Sequence, residues 1–320
     1  MDKELTRTVA KLDLPQYAHT LLPHKPPMLV VEALVQRRGE LAIAQATLPT
    51  AGLFVTAGLI LPEYFIELIA QTAALGNCYD ALMRKIPTHD GMLVGVDAFS
   101  WPGQPRPGTP VYIETDIAFT FGAMKVVHGE IYAGRELLAA GDIKVWEDLG
   151  KETRKASEVH KVSHRESSDF SPVTDEQRMG MDEDSLCSAL SGCCLELRLV
   201  RKEELRVEGS ANFCFPVNFP GFQGHFPGNP ILPAIVQLAA VRFLTEHLLG
   251  QCVAPVLHQK IKFKGVIGSG DQVRVNIVLK KVGVNWGGTF SLKRPEGEAV
   301  AGGVVDFAAC PKLDSCQIKS

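Results

Sequence analysis

Two ionisable side chains of this 320-residue chain stand in settings that favour acid–base chemistry. His225 lies in the loop sequence G-H-F-P-G-N-P, where glycine and proline residues make the chain stiff and tightly turned. Histidine titrates near neutral pH and is the most frequent general base. Glu67 lies in the middle of residues 64–79, which are apolar on nearly every side. A carboxyl group buried there without a partner holds its proton, and a protonated carboxyl group can act as a general acid.

Each of these residues also has an ordinary structural interpretation. A loop histidine is more often structural or merely exposed than catalytic, and Glu67 could pair with an unseen base or bond to the backbone. His24, in L-L-P-H-K-P-P, is predicted to be a turn or capping residue. The other histidines lack a matching constellation of partners, so His225 and Glu67 are the candidates for chemistry.

An internal repeat relates the two candidates. One copy begins at position 52 as G-L-F-V-T-A-G-L-I-L-P-E-Y-F-I-E, and the other begins at position 224 as G-H-F-P-G-N-P-I-L-P-A-I-V-Q-L-A. Aligned without a gap, Leu53 falls opposite His225, and Ala239 falls opposite Glu67. Leu53 and Ala239 cannot do acid–base work. Each copy therefore contains one candidate residue, at a position where the other copy has an apolar residue.

Both copies sit within the same predicted order of elements: two strands, one helix and further strands. The helices are apolar nearly all round, which is typical of buried helices, and Pro62 and Pro233 stand where a first helical turn accepts proline. Strands are predicted over residues 28–35, 41–48, 117–120, 125–133 and 136–145 in the first half, and over 195–200, 205–213, 273–281, 287–293 and 299–307 in the second. The pattern predicts an α+β fold with one central helix in each half.

Length and composition fit two domains, predicted at 1–150 and 185–320 and joined by a charged, serine-rich linker at 151–184. The net charge of −3 gives no electrostatic case for nucleic acid binding. The longest apolar stretches are interrupted, and no apolar core follows the N-terminal charges, so neither a membrane span nor a secretory signal is predicted. The eight cysteines lack zinc-site spacing and a disulfide pattern, so we expect a cytoplasmic protein with reduced thiols and no metal.

Three segments resemble the β-hydroxyacyl-acyl-carrier-protein dehydratases of fatty acid synthesis. They are G-H-F-P-G-N-P-I-L-P at residues 224–233, L-P-H-K-P-P-M-L-V-V-E at 22–32 and E-L-I-A-Q at 67–71. The resemblance covers both halves, and the layout is similar to a fusion of the paired dehydratases of aryl-polyene pigment clusters. It implies a tandem double hotdog, in which each half wraps a curved antiparallel sheet around a long central helix.

The resemblance also implies roles for individual residues. In those dehydratases each site takes its histidine from one hotdog and its acid from the paired hotdog, so His225 and Glu67 would form one composite site here. His225 would remove the C2 proton of the substrate, and Glu67 would protonate the departing 3-hydroxyl group. The backbone N–H nine residues after the histidine, normally from glycine, belongs to Ala234 here and would polarise the thioester carbonyl. The expected site is completed by the loop residues Gly228 and Pro233 and by the acyl-tunnel residues Phe226, Gln71 and Gln237.

The implied reaction converts a 3-hydroxyacyl thioester, carried by an acyl carrier protein or coenzyme A, to the trans-2-enoyl thioester without any cofactor. Possible docking charges for an acidic carrier are Lys260, Lys262, Lys264, Arg84 and Lys85. A solvated strand face explains the lysines equally well. A hotdog acyl thioesterase and a non-catalytic acyl-binding or partner-binding module are the alternatives, and the direction of the reaction is open. The chain is expected to be a monomeric pseudo-dimer or to form a higher homo-oligomer.

Overall fold

The computed structural model describes residues 13–88, 91–147, 185–226, 228 and 230–310. The predicted linker at residues 151–184 lies outside the described residues. The first half, residues 13–147, contains β1 (Gln16–Tyr17), α1 (Ala18–Leu21), β2 (Ala33–Arg38), β3 (Leu41–Thr47), β4 (Val55–Thr56), β5 (Leu59–Ile60), α2 (Glu63–Arg84), β6 (Gly91–Ser100), β7 (Pro110–Phe121), β8 (Met124–Ala133) and β9 (Glu136–Glu147). The second half, residues 185–310, contains α3 (Leu186–Cys193), β10 (Cys194–Glu203), β11 (Arg206–Cys214), a short 3-10 helix (Pro220–Phe222), α4 (Ala234–Leu249), β12 (Val253–Phe263), β13 (Gln272–Val282), β14 (Asn285–Lys293) and β15 (Ala299–Ala309).

Thirteen of these strands form one antiparallel sheet, in the order β1-β2-β3-β7-β8-β9-β6-β12-β15-β14-β13-β11-β10. The short hairpin β4–β5 stands apart from it. Read outward from the centre, β6-β9-β8-β7-β3-β2 in the first half corresponds to β12-β15-β14-β13-β11-β10 in the second. The repeat in the sequence is thus a repeat in the structure, and the fold is the expected α+β tandem double hotdog.

The helices α2 and α4 are the central helices of the two halves, and they contact each other. Both are buried on most sides because their sequences are apolar nearly all round. Pro62 and Pro233 are the N-cap residues, so each proline stands directly before the first turn and not within it. Lys85 and Gly250 end the helices in the left-handed conformation that closes many helices. No helix in the described ranges is long and apolar enough to cross a membrane.

Two short helices, α1 and α3, precede the first long strand of each half and have no counterpart in the sequence-based prediction. α3 begins after Ser185, whose side chain accepts a hydrogen bond from the Ser188 N–H. The strand predicted from residue 28 begins at Ala33 instead, because the chain turns first and the Leu29 N–H donates to the Lys25 carbonyl. The segment between α1 and β2 is therefore free to pack beside the candidate site.

The strands β6 and β12 join the two halves at the centre of the sheet. Their pairing sets Phe99 opposite His258, and both residues are buried. The His258 ring packs against Trp101, with 4.9 Å between the ring centroids. Its Nδ1 has no hydrogen-bond partner within the described part of the chain. The buried contact between the two halves at β6 and β12, which we call the seam, therefore contains the imidazole of His258.

This seam is expected to make the fold sensitive to acid. Burial lowers the pKa of His258 from its ordinary value of 6.5 to about 4. Unfolding frees the imidazole to bind a proton. The free energy of unfolding is therefore highest above pH 6.5 and falls as the pH drops towards about 4, by up to about 1.4 kcal/mol per pH unit. Urea denaturation of wild type and His258→Phe, at neutral pH and at about pH 5, measures the effect. The variant should lose less stability on acidification than wild type, and an equal loss would contradict the assignment.

Candidate active site

His225 lies in a loop that the first half of the chain holds in place. The Lys25 N–H donates to the Gly224 carbonyl at 3.1 Å. Gly224 has a φ of +80°, and a Cβ atom there would lie 1.9 Å from the Lys25 carbonyl oxygen, so this close approach of two backbones requires glycine. The His225 Nδ1 lies 2.9 Å from the Ile231 carbonyl oxygen. Because a carbonyl only accepts, Nδ1 carries the proton and Nε2 is the basic nitrogen.

Glu67 is oriented by Gln71, which lies one turn further along α2. The Gln71 Nε2 donates to Glu67 Oε1 at 2.8 Å and to the Met28 carbonyl at 2.6 Å. The Gln71 Oε1 accepts the Val30 N–H at 3.0 Å, so the hydrogen bonds assign both ends of the amide. Since Glu67 Oε1 already accepts a hydrogen bond, a proton on this carboxyl group belongs on Oε2. The side chain is buried, at 5% exposure.

His24 is the site residue that the sequence analysis missed. The prediction of a turn or capping residue is wrong, because the ring is buried beside both candidate residues. Its Nε2 lies 3.8 Å from Glu67 Oε1, and its ring centroid lies 5.5 Å from that of His225. Burial lowers the pKa of His24; Glu67 opposes this shift, and His225 adds to it. The signal was the L-P-H-K-P-P segment, which carries part of the family resemblance.

His24, Glu67 and His225 each bring one nitrogen or oxygen atom to within 4.8 Å of the other two. His24 and Glu67 belong to the first half and His225 to the second, so the fold brings the predicted base and acid together across the two halves. Two imidazoles and one carboxylate could also hold a divalent transition metal. The expected absence of a metal therefore stays a prediction.

A cavity of about 780 Å³ opens beside these three side chains, and residues of both halves line it. The expected tunnel residues Phe226, Gln71 and Gln237 are on its wall. Gln237 is buried, and its Oε1 has no hydrogen-bond partner among the described residues. The volume lies in the range typical of pockets for small molecules.

Ala234 is the first residue of α4 and lines the same cavity. The first N–H groups of a helix lack intrahelical acceptors and carry the positive end of the helix dipole. Ala234 is not one of the residues with positive φ, so alanine stands here without backbone strain. Gly228 is exposed with a φ of +86°, which favours glycine, and Pro233 caps α4. The cavity wall thus offers a backbone donor that can meet a partly negative oxygen.

Leu53 and Ala239 are the counterparts of His225 and Glu67 in the repeat, and together they form what we call the mirror position. This position is buried and filled. Their exposed fractions are 6% and 1%, and the Leu186 N–H at the start of α3 donates to the Leu53 carbonyl at 2.8 Å. α3 also packs against α4 and β4. Neither Leu53 nor Ala239 lines the cavity. The candidate chemistry is therefore confined to one side of the pseudo-symmetric pair.

A buried ion pair links the two central helices one turn beyond Ala239. The Arg242 Nε donates to Glu63 Oε1 at 2.8 Å, and Nη2 donates to Glu63 Oε2 at 3.3 Å. Nη1 donates to Glu246 Oε1 at 3.1 Å, and the Cys187 Sγ of α3 lies 3.8 Å from Nη2. Burial disfavours the charged form, but Glu63 and Glu246 hold the pKa of Arg242 above its ordinary value. A buried ion pair thus joins α2 to α4 close to the mirror position.

The sequence matches two family models of dehydratases. The family model described as ApeP dehydratase matches residues 16–155, and the one described as ApeI dehydratase matches residues 201–304. The half with Glu67 therefore matches one partner of the pair, and the half with His225 matches the other. This confirms the resemblance to a fusion of the two paired dehydratases.

Two curated relatives agree with these matches, and one solved structure shares the fold. A 3-hydroxyacyl-[acyl-carrier-protein] dehydratase FabZ of Caldicellulosiruptor bescii is 32% identical over 119 residues, which cover 35% of this chain and 84% of the relative. The FabZ of Oenococcus oeni is 33% identical over 89 residues, which cover 26% of this chain and 64% of the relative. A crystal structure described as an oleoyl thioesterase from Lactobacillus plantarum has 10% identity and a TM-score of 0.53, covering 85% of this chain and 96% of its own. That likeness shows the hotdog fold alone.

Proposed function

The chain belongs to the hotdog family of β-hydroxyacyl-acyl-carrier-protein dehydratases, and we propose that it converts 3-hydroxyacyl thioesters to trans-2-enoyl thioesters. The observation that carries the proposal is the meeting of His225 and Glu67, one from each half, beside one cavity. Elimination of water next to a carbonyl needs one base and one acid. The filled mirror position at Leu53 and Ala239 supports a single active site per chain.

His225 is the base in this mechanism. Its Nε2 removes the C2 proton, while the hydrogen bond from Nδ1 to the Ile231 carbonyl keeps the tautomer and stabilises the imidazolium that forms. The electron pair of the C2–H bond moves into the new C2–C3 double bond. The Ala234 N–H, at the start of α4, hydrogen-bonds to the thioester oxygen as negative charge builds on it.

Glu67 is the acid. Its Oε2 gives a proton to the 3-hydroxyl oxygen as the C3–O bond breaks, so the oxygen leaves as water. The hydrogen bond from Gln71 to Oε1 stabilises the carboxylate that remains. Turnover leaves His225 protonated and Glu67 ionised. One proton transfer between them restores both groups with no net uptake of protons.

The acyl chain is proposed to lie in the cavity beside α2. Apolar side chains that line it include Ala70, Ala74 and Val127. Arg84 and Lys264 line it as well, and cations at this wall suit the phosphate of a pantetheine arm on an acyl carrier protein or coenzyme A. We propose a cytoplasmic enzyme that acts as a monomeric pseudo-dimer or as a higher homo-oligomer.

The test is a mass-spectrometric assay of 3-hydroxyacyl groups on an acyl carrier protein and, separately, on coenzyme A. We expect the acyl mass to fall by one water while the thioester stays intact. Release of the free acid would make the chain a hotdog thioesterase. If neither reaction occurs with short, long or aromatic acyl chains, the chain is an acyl-binding module. Starting the assay from the enoyl thioester measures the reverse hydration.

Glu67→Gln is expected to lower kcat for dehydration by about 10²–10³-fold, because the amide keeps the shape of the acid but has no proton to give. KM should change little, since the amide occupies the same volume. Steady-state kinetics with the assay above measures both constants. Glu296→Gln, which changes an exposed glutamate between β14 and β15, is the matched control and should keep full activity. An unchanged kcat in Glu67→Gln would remove Glu67 from the role of acid.

A further inference from the structure

His24 is buried at the cavity without a hydrogen bond that accounts for its position. It is 7% exposed, and its Nδ1 has no partner within the described ranges of the chain. Its Nε2 is 3.8 Å from Glu67 Oε1, which is too far for a hydrogen bond. Leaving a buried polar group unsatisfied is unfavourable. Nε2 is the ring nitrogen on the side of Glu67, and since His24 lines the cavity, a bound molecule can supply a hydrogen-bond partner to Nε2.

The three polar side chains of the site surround a point that suits one oxygen atom. One atom from each of His24, Glu67 and His225 lies within 4.8 Å of the other two. For any triangle with sides no longer than 4.8 Å, some point lies within 4.8/√3, or about 2.8 Å, of every corner, which is an ordinary hydrogen-bond distance. A single oxygen atom at that point lies within hydrogen-bond distance of all three side chains.

The contacts that hold the His225 loop also hold His24. Lys25, the next residue, donates its N–H to Gly224, which directly precedes His225. The His24 ring lies 5.1 Å from the Phe226 ring, measured between centroids. The two imidazoles are therefore fixed relative to each other before any substrate binds, as electrostatic catalysis requires.

We propose that this point binds the leaving oxygen, first as the 3-hydroxyl group of the substrate and then as the water that forms. The inference rests on the proposed dehydration and adds His24 to it as a catalytic residue. When the C3–O bond breaks, its electron pair goes to the oxygen. The oxygen takes the proton of Glu67 and accepts a hydrogen bond from an N–H of His24. His24 gives up no proton, so the balance of protons is unchanged.

An uncharged imidazole suits this role. Burial lowers the pKa of His24, and although Glu67 acts against this shift, His225 lowers the pKa further. A neutral His24 can donate one hydrogen bond to the leaving oxygen. It also adds no second positive charge beside His225 when that residue takes up the C2 proton.

Two reactions of His24→Ala, His24→Gln and wild type test the inference. The first is dehydration of a 3-hydroxyacyl thioester. The second is exchange of the C2 hydrogens of a saturated acyl thioester for deuterium, which uses His225 but has no leaving oxygen. We expect His24→Ala to lower kcat for dehydration by about 100-fold and to leave the exchange rate within about two-fold. His24→Gln should recover part of the loss, because its amide nitrogen reaches close to the place of the imidazole Nε2.

The control is His19→Ala, which changes an exposed histidine five residues upstream and should leave both rates unchanged. Unchanged dehydration in His24→Ala overturns the inference, and so does a parallel loss of both reactions, which would mean that His24 only supports the loop. If wild type exchanges C2 hydrogens but never dehydrates, the proposed function fails, and the inference fails with it.

A crystal structure of wild type provides a readout that does not depend on activity. We expect an ordered water within hydrogen-bond distance of His24, Glu67 and His225, and we expect its loss in His24→Ala. A metal ion at this point, or no bound atom, overturns the inference.

Discussion

Replacing His225 with alanine is expected to lower kcat/KM for dehydration by about 10³–10⁴-fold. Alanine removes the nitrogen that takes the C2 proton. Glu67 cannot replace His225 as the base, because its Oε1 accepts a hydrogen bond from Gln71 and its role in the mechanism is to donate a proton. Deuterium exchange at C2 of a saturated acyl thioester should be lost as well, since it depends on the same base. Steady-state kinetics and mass spectrometry measure the two rates.

The matched control for this variant is His247→Ala. His247 lies on α4, bonds through Nδ1 to the Phe243 carbonyl and does not line the cavity, so its loss should spare activity. His225 is a half-buried loop residue, and His225→Ala should keep the fold, as circular dichroism can verify. Retained dehydration in a folded His225→Ala would contradict the composite site, because the reaction would then not depend on His225 as its base.

The strands and both central helices could be predicted from the sequence because their signals are local. Alternating residues mark long strands such as β8 and β13, and an apolar run that follows proline marks each central helix. His225 and Glu67 could be selected because the repeat sets each against a residue that cannot do acid–base chemistry. That comparison needs only the order of residues along the chain.

His24 could not be assigned in this way, because its place depends on contact between distant segments. The segment that contains it lies in neither copy of the repeat. It reaches the site only because the backbones of Lys25 and Gly224 meet, and that meeting requires the absence of a side chain at Gly224. A family resemblance marks such a segment as relevant, but it does not reveal which of its side chains faces the cavity.

The asymmetry of the two halves goes beyond the two missing catalytic residues. α1 and α3 stand at equivalent places, each before the first long strand of its half. The chain after α1 leaves His24 on the cavity wall, whereas α3 donates its first N–H to Leu53 and covers the mirror position. Placing histidine at position 53 and glutamate at position 239 would therefore not restore a second site, because both positions are buried and the Leu53 carbonyl already accepts the first N–H of α3.

Arg242→Met is expected to lower the free energy of unfolding by about 3–5 kcal/mol, because it leaves the Glu63 carboxylate buried without its partner. Glu63 is 2% exposed and pairs with Arg242 through both carboxylate oxygens. The two residues are 179 positions apart and join α2 to α4, so the loss falls on the contact between the two halves. Urea denaturation at neutral pH, followed by circular dichroism, measures the change.

The double variant Arg242→Met/Glu63→Gln should regain most of this stability, because replacing both charges removes the unpaired carboxylate as well as the pair. Arg201→Met is the control, since Arg201 and its partner Glu203 are both exposed and their pair contributes little. If Arg242→Met is as stable as Arg201→Met, the buried pair does not stabilise the contact between the two helices. Because α2 carries Glu67 and α4 begins with Ala234, the double variant should also regain any dehydration that the single variant loses. Recovery of stability without recovery of activity would show that the pair also sets the relative position of the two helices at the site.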